Sequence, residues 1–403
     1  MPRRVLAAAF AVLALAGCRG EPPDATGERT LARLVDSLAP EVEKAVGLPF
    51  KAKPKHALRN RDQVRRYVQA KLAEQLPPET FRRMTHAYAL LGLLPDSLDV
   101  RAVMEQLLSQ QIAGYYDPDS ATFYGVVGAD QTMQRLTIAH ELVHALQDQY
   151  LPLDSILKDR SNNDRSSAAQ AILEGQANYA SIAMLQGREV ASTPEFWEAF
   201  RSTGAEMLTG GDFASVPAVL REGLLFPYLA GGEFMRWWLA SPLKDTLPYG
   251  PRLPASTEQI LFPERYQAGD RPLDVRFTDS VPGAFEDVLG EFETRLLVQE
   301  LTGTPATSAV PLGWGGDRFR LAGDAGAESL VWVTVWDEPY QRDRFKEGTG
   351  AKLLARSRAG YRAQLDTLSV SGRPGLRFVI APVSWVGWDR LPLAEVRPPP
   401  HAR

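Results

Sequence analysis

The chain has 403 residues, 44% of them hydrophobic and 23% charged, with a formal net charge of −4. That length is ample for a buried core in roughly two or three domains, and the composition is that of a soluble globular protein. A mildly acidic balance excludes a basic nucleic-acid face, and a single cysteine excludes both an internal disulfide and a cysteine-ligated metal site.

Arg3 and Arg4 precede an uncharged apolar run from Val5 to Ala16, so residues 1–17 read as a signal peptide. Leu15-Ala16-Gly17-Cys18 resembles a bacterial lipobox, which implies lipid modification of Cys18 and a membrane anchor. Arg19, rather than an aspartate, follows the cysteine and directs the expectation to the outer membrane of the cell envelope. Later in the chain nothing approaches the roughly 20 apolar residues needed to cross a bilayer.

Residues 18–30 are polar and rich in Pro and Gly, as a flexible tether would be. From 31 to 111 the pattern is helical, with Leu31, Leu34, Val35 and Leu38 at helical spacing and a break at Pro77-Pro78. Two aromatic and β-branched runs, 113–117 and 122–127, flank an Asp-Pro-Asp-Ser turn and predict a hairpin. Helices are expected over 132–150 and 166–185. Proline and glycine punctuate 208–233, before an aromatic helix that carries Trp237 and Trp238. Residues 112–274 form the expected catalytic core. After that comes a smaller α+β unit over 275–403, with a helix near 285–301, strands at 330–336 and 376–383, a tight turn at 313–317 and a disordered proline-rich end.

The chemistry concentrates in Thr137-Ile138-Ala139-His140-Glu141-Leu142-Val143-His144-Ala145-Leu146. Residues four apart share a helix face, so His140 and His144 can aim two imidazoles at one ion. Glu141 lies beside the first ligand, where its carboxylate suits a general base acting on a zinc-activated water. A catalytic zinc takes a third protein ligand. The five histidines are His56, His86, His140, His144 and His401, and Gln147 and Tyr150 stand where a metzincin needs glycine and histidine. Glu174 is the best candidate, a lone carboxylate in the apolar run Ala171-Ile172-Leu173-Glu174-Gly175. Asp148, Asp154 and Asp164 are rival ligands, and Asp148 also suits the task of orienting an imidazole.

The motif with a glutamate on the next helix resembles the gluzincin metallopeptidases. That resemblance implies a zincin-like fold in which His140, His144 and Glu174 bind zinc. Thermolysin-like members carry an aspartate where Asn178 stands here. The chain is also similar, over roughly residues 60–340, to a group of prokaryotic proteins with a Gly-Tyr-Tyr-Asp-Pro segment before His-Glu-Leu-x-His-Ala-Leu-Gln-Asp-Gln. Gly114 to Pro118 and His140 to Gln149 match those segments; Glu174-Gly175, Ser256 to Leu261 and Gly313 to Asp317 match later ones. Where that group has histidine before Pro-Glu, this chain has Phe262. By the same resemblance the 113–127 hairpin forms the edge of the active-site sheet, where an extended peptide adds through main-chain hydrogen bonds.

An oxyanion donor is also expected. Tyr228 is the first choice, read as preceding a Gly-rich turn near a helix start, and Tyr179 the second. The expected architecture is therefore α+β: a helical N-terminal part, a zincin-like catalytic domain and a smaller C-terminal α+β unit. The expected function is zinc-dependent hydrolysis of peptide or protein substrates in the cell envelope, without nucleic acid. The rival readings are a non-catalytic lipoprotein that binds a partner, and a zinc hydrolase that cuts peptidoglycan cross-links.

Overall fold

The computed structural model describes residues 25–397, apart from 76, 129–130, 159–160 and 210–214. The expected signal peptide, Cys18 and the proline-rich end at 398–400 lie outside the described residues. No helix among the described residues is long and apolar enough to cross a membrane.

The first part of the chain runs α1 (Ala25–Val46), β1 (Lys55–Arg59), α2 (Arg61–Gln75), α3 (Pro78–Leu91), α4 (Val100–Gln111), β2 (Gly114–Asp117), β3 (Thr122–Val126), α5 (Gln131–Asp148) and α6 (Leu153–Lys158). It continues through α7 (Asn163–Gln186), α8 (Arg188–Ala191), α9 (Pro194–Thr209), α10 (Ala218–Ala240), α11 (Thr257–Leu261) and α12 (Pro263–Gln267). Two sequence expectations change here. Helix α1 takes in residues 25–30, read above as tether, because Glu28 accepts the Leu58 N–H at 2.9 Å and so ties the first helical turn to β1. The span 31–111 is not all helix either. Lys55 to Arg59 pairs in parallel with β3, giving a three-stranded sheet in the order β1-β3-β2 that leaves β2 on the edge.

Helix α5 lies between this sheet and α7. Ile138, Leu142, Val143 and Leu146 pack with Phe123 of β3 and with Leu31, Val35, Leu38 and Val42 of α1. Ala177 and Ala180 of α7 close the same cluster. A helix covered on so many sides is buried nearly all round, which accounts for the uncharged residues that flank His140, Glu141 and His144 from 137 to 146. Helix α7 starts at Asn162, whose side chain accepts the Arg165 N–H at 2.9 Å and caps an end otherwise left with free donors.

The C-terminal unit comprises β4 (Asp274–Phe277), β5 (Phe285–Asp287), α13 (Gly290–Thr302), β6 (Trp314–Ala322), β7 (Ser329–Trp336), α14 (Pro339–Leu354), β8 (Tyr361–Val370), β9 (Arg373–Pro382) and β10 (Ala394–Arg397). Five strands form an antiparallel sheet in the order β5-β6-β7-β9-β8. One face packs through Phe319, Trp332 and Phe378 onto residues of α3, α13 and α14. The other packs through Val331, Val333 and Val379 onto the small β4–β10 sheet. The whole is an α+β protein with a helical N-terminal part and a β-rich C-terminal region. Gly313 to Asp317 is not the tight turn expected. Trp314 begins β6, and a bulge between Trp314 and Gly316 lets the strand continue.

A set of buried carboxylates lies where the two parts meet: Asp287 and Glu293 bond across the junction, and Asp164 packs against Gly290 of the C-terminal unit. Asp164 of α7 accepts the Thr257 N–H at 2.9 Å, Asp287 accepts the Asn163 N–H at 2.8 Å, and Glu293 accepts the Tyr88 hydroxyl at 2.6 Å. Asp317 takes N–H groups from Leu289, Gly290 and two tryptophan indoles. Burial pushes Asp164 up to about 7, Asp287 to about 6 and Glu293 to about 8. Glu258 rises to about 9, through burial first and then the charge of Glu291. Raised carboxyl values mean that the folded state holds protons which the unfolded chain releases near pH ~4. Their stabilisation is full below that pH and is lost as pH climbs through the folded values. The melting temperature of the metal-free protein is expected to fall by several degrees from about pH 6 to about pH 9, and Glu258→Gln to flatten the fall. A melting temperature that rises over this interval would contradict the assignment.

Candidate metal centre

Helices α5 and α7 supply every ligand atom of the site. His140 and His144, one turn apart on α5, point their Nε2 atoms at each other across 3.2 Å. Glu174, on the facing side of α7, places Oε2 3.0 Å from His140 Nε2 and 3.3 Å from His144 Nε2. These three side chains form the one group among the described residues whose donor atoms all lie within 4.8 Å. Two imidazole nitrogens and a carboxylate oxygen converging on one point are electron-pair donors in search of a positive charge.

The electrostatics say the same. Burial works against charge on His144, yet Glu174 and Glu141 overcome it and hold the imidazolium up to about 9. Burial also opposes ionisation of Glu174, but His144 and His140 hold that carboxyl well below its usual range. Without an ion, a proton shared among the three supplies the missing charge. The Nδ1 of His140 is buried with no hydrogen-bond partner, so its ring is held by packing: Tyr228 stacks on it at 5.8 Å and 26°. The donor set fits a metal ion, and histidine with carboxylate suits a borderline cation.

Glu141 lies close enough to the three donors to feel their charges, and it also reaches the sheet. Its Oε2 accepts the main-chain N–H of Tyr116, on the edge strand β2, at 2.8 Å. Burial raises its pKa, the negative charge of Glu174 adds to that, and the two histidines and the Tyr116 N–H pull the other way. The result is a carboxylate with more proton affinity than an ordinary glutamate, which is what a general base requires. Tyr116 also donates its hydroxyl to Asp148 at 2.6 Å, so this one strand residue spans α5 from Glu141 to Asp148.

Of the residues singled out from sequence, the structure brings His140, Glu141, His144, Glu174 and Tyr228 together. Burial, and then the negative charges of Glu174 and Glu141, push the Tyr228 phenol well up, which places it beside both carboxylates. Its setting differs from the one expected: Tyr228 sits mid-helix in α10, which runs straight through Pro227, Gly231 and Gly232. Those glycines do not make a turn; they make room. A Cβ on Gly175 of α7 would overlap the main chain of Gly231, and one on Gly231 would overlap the carbonyl of Ala171. Backbone-to-backbone contact between α7 and α10 carries Tyr228 over His140.

Tyr179 lies elsewhere, its hydroxyl on Ser192 and its ring stacked with Trp197. Asp164 belongs to the junction with the C-terminal unit, and the side chain of Asp154 is outside the described residues. Asp148 holds Tyr116 rather than an imidazole, and Asn178 donates to the carbonyl of Tyr228, not to a ligand. The residue that does meet a ligand histidine is Gln147, 2.8 Å from His144 Nδ1. Sequence reading passed over it, although three residues after His144 is one turn along the same helix face.

Residues 278–378 match a family described only as a domain of unknown function (DUF8575), which lies in the C-terminal unit and includes none of the site residues. No curated protein matches the chain significantly. Among solved structures the chain is similar to a protein from Chloroflexus aurantiacus, provisionally described as a hydrolase with a novel fold. The identity is 16% and the TM-score 0.41, over 66% of this chain and 97% of that one.

Proposed function

We propose that this protein is a zinc-dependent peptidase of the bacterial cell envelope, tethered by a lipid on Cys18. One observation carries the enzymatic part: His140 Nε2, His144 Nε2 and Glu174 Oε2 meet at a single point with a second, high-affinity carboxylate, Glu141, beside them. The lipobox resemblance at Leu15 to Cys18 supports the tether.

His140, His144 and Glu174 would hold the ion. Zinc in such a site acidifies water and polarises a carbonyl. Glu141 receives the proton of the attacking water at Oε1, the oxygen not engaged by Tyr116, and returns it to the leaving nitrogen. Tyr228 offers a hydroxyl donor at the same mouth, suited to a carbonyl oxygen that gains charge. The edge strand β2 presents main-chain groups of Gly114 and Tyr116 alongside, where an extended peptide can lie. The bond from the Tyr116 N–H to Glu141 ties this edge directly to the base.

The test is zinc content by elemental analysis of the purified full chain, wild type beside Glu174→Ala, followed by a screen of peptides and muropeptides. About one zinc per chain in the wild type, sharply reduced in the variant, with zinc-dependent cleavage of peptides, is the expected result. A wild type that takes up no zinc on reconstitution would sink the reading.

A further inference from the structure

The bond between His144 and Gln147 has a direction that the structure settles from its far end. Gln147 Nε2 lies 3.0 Å from the main-chain carbonyl of Leu173 and 2.9 Å from Gln176 Oε1. A main-chain carbonyl can only accept, so the amide nitrogen of Gln147 must be the group that faces Leu173. Its oxygen therefore faces His144. That oxygen accepts too, so the Nδ1 of His144 carries a proton. In a neutral imidazole the other nitrogen, Nε2, then holds the free electron pair. This is the atom turned towards Glu174 and His140. Gln176 is fixed in its turn, for its Oε1 also accepts the hydroxyl of Tyr249.

From these contacts we infer that Gln147, braced by Leu173, Gln176 and Tyr249, is the positioning residue of the metal site. It fixes the proton on Nδ1 and the ring plane of His144, so that the proton displaced by an arriving ion is the one on Nε2, and the electron pair it leaves faces the ion. The inference rests on the zinc reading and gives work to two residues which that reading leaves idle: the Gln of His-Ala-Leu-Gln and the Gln of Glu-Gly-Gln. It also accounts for the residue type. A carboxylate in place of Gln147 would accept from Nδ1–H equally well, but it would add negative charge to a buried pocket that already holds Glu141 and Glu174. An amide orients the ring without that cost. The two ligand histidines are thereby held by different means, His144 by hydrogen bonding and His140 by packing against Tyr228.

The experiment measures zinc affinity by competition with a chromophoric chelator, on the full chain and on Gln147→Leu, Gln147→Glu and Tyr249→Phe. The melting temperatures of the zinc-free forms are recorded beside it. Gln147→Leu is expected to weaken zinc binding about 10- to 100-fold. Gln147→Glu should bring affinity back to within a few-fold of wild type, although its zinc-free form melts lower because the second carboxylate oxygen then faces the Leu173 carbonyl. Tyr249→Phe, which removes a brace on Gln147 and Gln176 but leaves the Gln147–His144 bond in place, should cost less than about tenfold. A residue that only packs would show the reverse pattern, with affinity following stability across the series. Zinc binding by Gln147→Leu as tight as wild type, or by Gln147→Glu as weak as Gln147→Leu, overturns the inference and leaves the zinc reading intact. A wild type that binds no zinc removes both.

Discussion

A Glu141→Gln protein is expected to carry as much zinc as the wild type and to hydrolyse peptides about 100- to 10,000-fold more slowly. The carboxylate is not among the converging donors, so replacing it leaves the ion's ligands untouched. Glutamine keeps the shape of the side chain and can still accept the Tyr116 N–H, so strand β2 should stay in place. What is lost is the capacity to take up a proton, and with it the base. Elemental analysis and turnover of one peptide, measured on the same preparation, decide the matter. Cleavage at the wild-type rate would remove Glu141 from the mechanism. Loss of zinc together with activity would mean that the carboxylate is a ligand instead.

The second large effect is expected from a residue with no side chain at all. Gly231→Ala adds a single methyl where the main chains of α7 and α10 touch, and that methyl would overlap the Ala171 carbonyl. Backbone cannot step aside as a flexible side chain does, so the helices must separate, at a cost of about 3 kcal/mol or more. Glu174 is on one of these helices and Tyr228 on the other, so zinc binding should weaken along with stability. Gly223→Ala is the control. It lies in the same helix with nothing within 4 Å of the added Cβ, and it is expected to stabilise by up to about 1 kcal/mol. Melting temperatures that move equally for the two variants would show that the crossing tolerates more than its geometry implies.

The candidate site was legible to the extent that its chemistry is local in sequence. His140 and His144 share a helix face by spacing alone, and Glu174 stands out as a carboxylate in an apolar stretch whose burial demands a partner. The parts that were not legible depend on tertiary packing. Lys-His-Ala-Leu-Arg shows no clean alternation, and becomes β1 only because β3 offers it an edge. Pro227 and the Gly231-Gly232 pair carry the marks of a helix break. Contact with α7 and with Trp197 overrides those local preferences, and α10 runs on through them. Trp314 to Asp317 likewise contains the residues of a turn, yet its tryptophan and aspartate are buried and bonded within a sheet. The amide chain behind His144 was invisible for a different reason. Glutamine has no preferred role that a pattern can announce, and its direction becomes readable only when the carbonyl it meets is known.

The hydrogen bond from Tyr116 to Glu141 makes the sheet part of the acid–base chemistry. A carboxylate that accepts an N–H holds its proton less tightly than one that does not, so the basicity of Glu141 depends on how closely β2 lies against α5. The edge strand is thus a mechanical dial on proton affinity: drawing it away by a fraction of an ångström strengthens the base, and pressing it closer weakens it. Under the proposed peptidase reading, a peptide aligned on that edge would compete for the same N–H and turn the dial as it docks. Binding and proton transfer are then two readings of a single contact.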